Sequence, residues 1–244
     1  MLFLRSTLFS LSVIITSVVI TCIVLLFYFA PFSWRYSIIS QFARYNLWVL
    51  KTVCKLDYVV EGRENIPDSA AIIFSKHQST WETMALQQVF PPLTFVIKRE
   101  LLWLPFFGWG LSCMDPIAIN RSAGRNAIRQ IIEQGSERLK RGLWVVIFPE
   151  GTRIRPGTQG RYKIGGAVFA AESGYPVVPV AHNAGYFWAK GQFLKRPGTI
   201  RMVIGPPIDS EGKSAEQILT EAKTFIEGEM ARLAPVDSST QNPH

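Results

Sequence analysis

The sequence predicts an α/β domain with a mostly parallel central sheet flanked by helices, preceded by an N-terminal membrane-anchoring helical segment. Between residues 57 and 234, short apolar runs alternate with amphipathic stretches, which is the pattern of strand–helix repeats. A long uncharged run lies close to the N-terminus. Because 48% of the residues are hydrophobic and 18% charged, intrinsic disorder is excluded as a class. We therefore divide the chain into an anchor with an interfacial helix (1–56), an α/β domain (57–234) and a polar tail (235–244).

The N-terminal run is long enough to cross a bilayer. No charged residue occurs between Ser6 and Trp34. As a helix, the apolar core at 8–30 would be roughly 34 Å long, against about 30 Å of hydrocarbon. A cleaved signal peptide is the alternative, but it needs a shorter apolar stretch and a small-x-small site, and the bulky residues 28–32 offer none. The sequence predicts an uncleaved anchor.

Charge indicates how the anchor is oriented. All 18 acidic residues lie at Asp57 or later, whereas the anchor region carries five bases and no acid. Four of these bases follow the apolar run, so the positive-inside rule places residues 57–234 in the cytoplasm, on the inner (cytoplasmic) membrane. Such basicity beside an apolar segment suits an anionic membrane surface better than a nucleic acid. A hairpin in one leaflet stays open, because Pro31 can break the run and residues 36–53 can form a second, interfacial helix.

The cysteines and histidines indicate no metal site. Cys22, Cys54 and Cys113 lack metal-type spacing, and the sequence has three histidines in all. An odd cysteine count without a pattern is compatible with a reducing compartment.

The remaining elements follow from periodicity. Apolar runs predict strands at 70–74, 94–97, 115–121, 143–147, 177–180 and 199–204, and 3.6-residue spacing predicts helices at 124–140, 167–173 and 214–233. Pro179 lies inside a predicted strand and favours an edge position for it.

A first candidate site follows the strand at 70–74. His77 and Glu82 are five residues apart, so they meet only if His77 lies in a loop and Glu82 in the first turn of a helix. The carboxylate would then fix the imidazole tautomer, and the other ring nitrogen could take a proton from an alcohol. The alternative is a capping box in which Glu82 binds only the N–H of Ser79.

A second candidate site follows the strand at 143–147. Gly151 permits a tight turn, and Arg153 offers a planar fork suited to phosphate. The alternative is a turn whose bases merely face water, as Arg155, Arg161 and Lys163 also would.

Three smaller features accompany these sites. Arg121 and Lys98 follow strands and add cations, while His182 is interpreted as a structural histidine. The apolar segment 101–111 could be core, a membrane-dipping loop or the wall of an acyl pocket. Its candidates for membrane or acyl contact are Trp103, Phe106, Phe107 and Trp109.

Taken in order, these motifs resemble the glycerolipid acyltransferase family, especially its bacterial 1-acyl-glycerol-3-phosphate acyltransferase (PlsC-like) group. The resemblance covers about residues 57–210 and rests on the His-x4-Glu pair, the strand ending at Arg121, the hexapeptide 148–153 and the Val-Pro-Val block at 178–180. Two departures are a glutamate at position 82, where aspartate is commonest, and Lys76, where asparagine is frequent. Asp115 also leads the second motif, where glycine is more usual.

The resemblance implies transfer of a fatty acyl group from acyl-CoA or acyl-carrier protein to the sn-2 hydroxyl of lysophosphatidic acid, giving phosphatidic acid. His77 would be the general base and Glu82 its orienting acid. The acceptor phosphate site would comprise Arg121, Glu150, Gly151, Thr152, Arg153 and Lys98. Because a thioester is already activated, we expect neither a cofactor nor a metal. The alternatives are another lyso-lipid or glycerol-3-phosphate as acceptor, and a non-catalytic membrane-associated binding protein of the same fold.

Overall fold

The computed structural model describes residues 1–120 and 123–235 and confirms the predicted fold class. Its seven-stranded sheet has the order β1-β7-β6-β2-β5-β3-β4. Every neighbouring pair is parallel except β6 with β7. The strands are β1 (Leu56–Glu61), β2 (Ile72–Ser75), β3 (Leu93–Lys98), β4 (Ile117–Ile119), β5 (Trp144–Ile147), β6 (Val177–His182) and β7 (Gly198–Ile204). The helices are α1 (Leu2–Leu26), α2 (Phe32–Thr52), α3 (Trp81–Val89), α4 (Phe107–Ser112), α5 (Arg125–Lys140), α6 (Gly165–Ser173) and α7 (Ala215–Arg232).

Helices cover both faces of the sheet, which is why its strands are apolar on both sides. One core layer lies between the sheet and the helices α2 and α3, with α1 packed on α2. The other lies between the sheet and the helices α5, α6 and α7. The central strands β2 and β5 are fully buried, so the sites that follow them begin in the middle of the molecule.

The edge position expected from Pro179 is wrong, because β6 lies between β2 and β7. The pairing of β6 with β7 covers Val180–His182, and Pro179 lies outside it. There, only the carbonyl of Pro179 is used, accepting a bond of 2.8 Å from the N–H of Gly205. The missing proline donor therefore removes no bond between the strands.

The N-terminal segment is a helical hairpin. The first helix begins at Leu2, earlier than the predicted run, and Pro31 caps the start of α2. Within residues 1–120 and 123–235, α1 is the helix that is long and apolar enough to cross a membrane. Between the two helices, the buried Asn46 binds Thr16 at 3.0 Å and Ser12 at 3.4 Å.

Helix α1 runs along the α/β domain rather than away from it. Near its start, Ser6 and Ser10 accept hydrogen bonds of 3.0 Å from the backbone N–H and the Nζ of Lys195. Near its end, Thr21 donates to the carbonyl of Phe106 at 3.0 Å. The opposite face of α1 exposes large aliphatic side chains such as Leu11 and Ile15. One face of α1 is thus bound to the domain over most of its length, and the other is apolar and uncovered.

Asp115 occupies the position where the family pattern usually has glycine, and its backbone shows why. Its φ of +50° is a left-handed conformation that disfavours side chains. Two arginines hold the carboxylate there: Arg35 of α2 at 3.3 Å and Arg141 at 2.9 Å. The same contacts tie α2 to the end of α5.

Candidate active site

Two loops meet because they follow neighbouring parallel strands. Strands β2 and β5 pair directly and end at Ser75 and Ile147. His77 therefore lies beside the turn that follows β5. Its backbone N–H donates to the Glu150 carboxylate at 3.0 Å, and its carbonyl accepts from the N–H of Ile154 at 2.8 Å. Both sides of the His77 backbone are fixed, as expected where an α/β sheet forms a site at its carboxyl edge.

The side chains of His77 and Glu82 are in contact. Nδ1 of His77 lies 2.8 Å from Oε1 of Glu82, whose side chain has no solvent exposure. Glu82 lies in the first turn of α3 and also accepts from the N–H groups of Gln78 at 3.0 Å and Ser79 at 2.9 Å. The capping interpretation and the His77 interpretation of this motif do not exclude each other, because one carboxylate both caps the helix start and binds the imidazole. The other half of a capping box differs here, because Ser79 Oγ accepts from the backbone N–H of Trp81 rather than from that of Glu82.

These contacts fix the charge and the proton positions. Burial raises the pKa of Glu82, but the nearby His182, the His77 ring and the Ser79 amide lower it, and the lowering prevails. An ionised Glu82 only accepts, so His77 must carry its proton on Nδ1. Its Nε2 then has a free lone pair. The tautomer follows from the hydrogen-bond partners alone.

A second histidine packs behind the pair in the opposite tautomer. His182 is fully buried, and its Nε2 lies 2.8 Å from the carbonyl of Lys76. Its Nδ1 accepts from the N–H of Ala184 at 3.3 Å, so the proton is on Nε2. Burial lowers the pKa of His182 despite the opposing effect of Glu82, which keeps the ring neutral near pH 7. Its position agrees with the structural role predicted for it.

The His77 ring opens on an apolar cavity of about 260 Å³. It stacks on Phe148 with 3.9 Å between ring centroids, and 15% of the side chain is exposed. The cavity runs between the α/β domain and the hairpin. Its apolar lining includes Val13 and Ile20 of α1, Ile39 and Phe42 of α2, Phe95 and Ile97 of β3, and Leu101, Phe107 and Leu111 of the segment 101–111. A hydrocarbon chain fits this lining chemically, and the alcohol of a substrate can reach the histidine.

Arg153 supplies a cation at the same cavity. Its side chain lines the cavity with His77, and its buried Nε has no hydrogen-bond partner within residues 1–120 and 123–235. A buried guanidinium nitrogen without an acceptor is costly, so this position favours a bound anion.

Glu150 faces away from the cavity, into a buried charge cluster. Nζ of Lys76 lies 2.6 Å from Glu150 and 2.8 Å from Glu227 of α7. The hydroxyl of Tyr162 donates to Glu227 at 2.8 Å. Burial raises the pKa of Glu150, while Lys76 and the His77 N–H oppose the rise. Any effect of Glu150 or Lys76 on an acceptor phosphate is therefore indirect, through the His77 backbone that Glu150 holds.

The other predicted site residues lie as follows. Gly151 has a φ of +67°, and Thr152 Oγ1 accepts from Lys190 at 3.3 Å. Lys98 is exposed at the end of β3 and pairs with Glu100 at 3.3 Å. Arg121 lies outside the described residues. In the segment 101–111, Phe107 lines the cavity although half of it is exposed, and Trp103, Phe106 and Trp109 are 71%, 39% and 45% exposed.

Glu227, Tyr162 and Phe148 are the site residues that sequence reasoning missed. Glu227 is 151 positions from Lys76 and lies in a helix whose other acids face solvent, so no local pattern marks it. For Phe148 there was a signal, since it begins the motif hexapeptide.

Comparison with known proteins identifies relatives of this chain. The family model described as Acyltransferase matches residues 57–183. The chain is 45% identical to a 1-acyl-sn-glycerol-3-phosphate acyltransferase of Pseudomonas aeruginosa, over 87% of this chain and 84% of that protein. It is 35% identical to the Saccharomyces cerevisiae protein of that name, over 72% of this chain and 59% of the relative. The crystal structure of the LPA acyltransferase PlsC from Thermotoga maritima shares the fold, with a TM-score of 0.80, 24% identity and coverage of 100% of this chain and 98% of that one.

The charge cluster makes a stability prediction. Lys76→Met leaves Glu150 and Glu227 without their shared cation, so we expect the free energy of unfolding to fall by about 3–5 kcal/mol. Adding Glu227→Gln removes one of the two stranded charges and should recover part of this loss. Urea unfolding followed by circular dichroism measures both. Glu229→Gln, in the same helix but paired at the surface with Arg232, should change little. A double variant no more stable than Lys76→Met contradicts the prediction.

Proposed function

The chain belongs to the acyltransferase family, and from this premise we propose that it transfers a fatty acyl group to the sn-2 hydroxyl of lysophosphatidic acid, forming phosphatidic acid. The relatives described above carry the name of this reaction. The donor is acyl-CoA or acyl-carrier protein, and no cofactor takes part. The observation that carries the proposal is the His77–Glu82 pair, whose free ring nitrogen belongs to a residue lining the apolar cavity.

In this proposal His77 is the general base. Its Nε2 takes the proton of the acceptor hydroxyl as the oxygen attacks the thioester carbon. The resulting imidazolium is stabilised by Glu82, which is already ionised and fixed by backbone N–H groups. When the C–S bond breaks, the imidazolium returns the proton to the thiolate. The ester and the free thiol are the products, and the histidine regains its starting tautomer.

Arg153 binds the phosphate of the acceptor in this proposal. Its unpartnered Nε lies in the cavity wall that also contains His77, so phosphate binding would orient the hydroxyl toward the base. Arg121 and Lys98 are further candidates for this phosphate. Gly151 and Thr152 shape the turn that presents Arg153, and Glu150 supports the turn from behind.

The acyl chain occupies the apolar cavity between the domain and the hairpin. Because α1 and α2 form part of its wall, an acyl chain there contacts the same helices that contact the membrane. The uncovered aliphatic face of α1, together with exposed Trp103, Phe106 and Trp109, supports membrane association of this side of the molecule. The bases that flank the hairpin support the cytoplasmic face of the inner membrane.

The proposed reaction predicts a defined loss with His77→Ala. In detergent or nanodiscs, the parent protein should convert labelled acyl-CoA and lysophosphatidic acid to phosphatidic acid. His77→Ala should lower kcat by about 10²–10⁴-fold, because the base is lost. Equal melting temperatures check that the variant is folded. Acyl-carrier protein serves as the second donor.

Two substitutions at position 82 test the role of the carboxylate in the same assay. The amide of Glu82→Gln can donate an N–H to Nδ1 of His77, which favours the tautomer that is protonated on Nε2. We therefore expect kcat to fall in this variant as it does in His77→Ala. Glu82→Asp keeps the charge and should retain more activity than Glu82→Gln. Parent-like activity in His77→Ala or Glu82→Gln contradicts the mechanism.

Removing Arg153 should mainly weaken acceptor binding. A lost charge-assisted hydrogen bond corresponds to a rise of about 10–100-fold in the KM for lysophosphatidic acid in Arg153→Ala. The KM for the uncharged acceptor monoacylglycerol should stay unchanged. The control Arg155→Ala, which removes an exposed neighbouring arginine, should change neither KM. Steady-state kinetics with both acceptors measures these KM values. An equal effect on both acceptors shows that Arg153 does not recognise phosphate.

A further inference from the structure

A second cavity lies on the outer side of the hairpin, away from the catalytic histidine. It has a volume of about 430 Å³ and is formed by the end of α2, strand β1 and the end of α3. We call it the basic groove, and its lining comprises Arg44, Leu47, Trp48, Lys51, Asp57, Tyr58, Val60, Arg63 and Gln88. None of these residues lines the catalytic cavity.

Within the part of the chain that the structure describes, two cations of the groove make no ion pair. Lys51 is paired with Asp57 at 2.8 Å. Arg44 donates only to the neutral amide oxygens of Gln41 and Gln88, both at 3.4 Å, and within residues 1–120 and 123–235 Arg63 has no ion pair. Both arginines are exposed. The carboxylate in the lining, Asp57, is engaged by Lys51, so the two guanidinium groups of this concave site suit a phosphate group.

The remaining features of the groove point to lipid. Trp48 is 58% exposed at its edge and contacts the exposed Tyr45, with ring centroids 5.8 Å apart. Exposed tryptophan and tyrosine beside arginine are typical of the membrane–water interface. Cys54, just after α2, contacts the carbonyl of Arg5, so the groove lies at the end of the hairpin where α1 begins. The exposed apolar side chains Phe3, Leu4 and Leu8 belong to that end of α1.

We propose that the basic groove binds the phosphate of an anionic membrane lipid through Arg44 and Arg63, with Trp48 against the lipid glycerol region. Helices α2 and α3 contribute to both cavities, Ile39 and Met84 to the catalytic one and Arg44 and Gln88 to the groove. A lipid in the groove therefore binds to the outer side of the same two helices. This proposal does not depend on which acyl acceptor the enzyme uses.

The test counts phosphatidylglycerol bound to the full chain in neutral detergent, by native mass spectrometry and by the shift in melting temperature. Phosphatidylglycerol is neither the proposed acceptor nor its product, so binding reports the groove separately from the reaction. The parent protein should prefer phosphatidylglycerol to phosphatidylcholine. Arg44→Gln combined with Arg63→Gln should weaken phosphatidylglycerol binding by about tenfold or more, because two charge-assisted contacts are lost.

Arg129→Gln combined with Lys213→Gln is the charge-matched control. Both residues pair with acids on the surface, outside the groove, and this variant should bind lipid like the parent. Unchanged binding in the groove variant, or equal loss in the control, overturns the proposal. So does a matching stabilisation by inorganic phosphate alone through the same arginines, which would identify a site for a free anion. A raised KM for acyl-CoA in the groove variant would likewise assign the groove to the phosphates of the donor.

Discussion

A carboxylate without access to water must have its charge matched by donors, and Glu82 meets this constraint with groups that also define the site. Two backbone N–H groups and the Nδ1–H of His77 point at it. Those donors exist only if the chain turns sharply after β2 and starts α3 at once. The same turn places His77 in the lining of the cavity. Burial of one charge thus sets the loop conformation, the start of a helix and the tautomer of the proposed base.

The surrounding structure holds that arrangement from two sides. Behind the loop, Lys76 connects Glu150 to Glu227, so a helix near the end of the chain supports the backbone of His77. In front of it, the N-terminal hairpin closes the cavity with apolar side chains. Helix α1 is attached by polar contacts at Lys195 and Phe106 and contributes to the cavity wall, while its other face is apolar and exposed. Under the proposed function, an acyl chain could pass between lipid and cavity along one helix.

Much of this was predictable from the sequence, for local reasons. Buried parallel strands appear as continuous apolar runs, so β2, β3 and β5 could be identified, and the His77–Glu82 contact followed from a loop-to-helix turn. Strand β1 was missed because Asp57 and Glu61 interrupt its apolar run. The position of β6 in the sheet was predicted wrongly. Proline favours an edge strand because it has no N–H for pairing, but Pro179 lies outside the residues through which β6 pairs with β7. The path of α1 along the domain, and the pairing of Lys76 with Glu227, depend on tertiary contacts that leave no periodic signal. The site predictions for Arg153, Lys98 and Arg121 remain predictions.

In the proposed mechanism Glu82 fixes the proton of His77 on Nδ1, and nitrogen-15 NMR of histidine-labelled protein in detergent measures the position of this proton. Comparison with His77→Ala and His182→Gln assigns the two rings. We expect that near pH 7 His77 is the Nδ1–H tautomer and His182 is the Nε2–H tautomer, two opposite forms beside one carboxylate. An Nε2–H signal for His77 would leave Nε2 without the lone pair that takes the substrate proton and would contradict the mechanism.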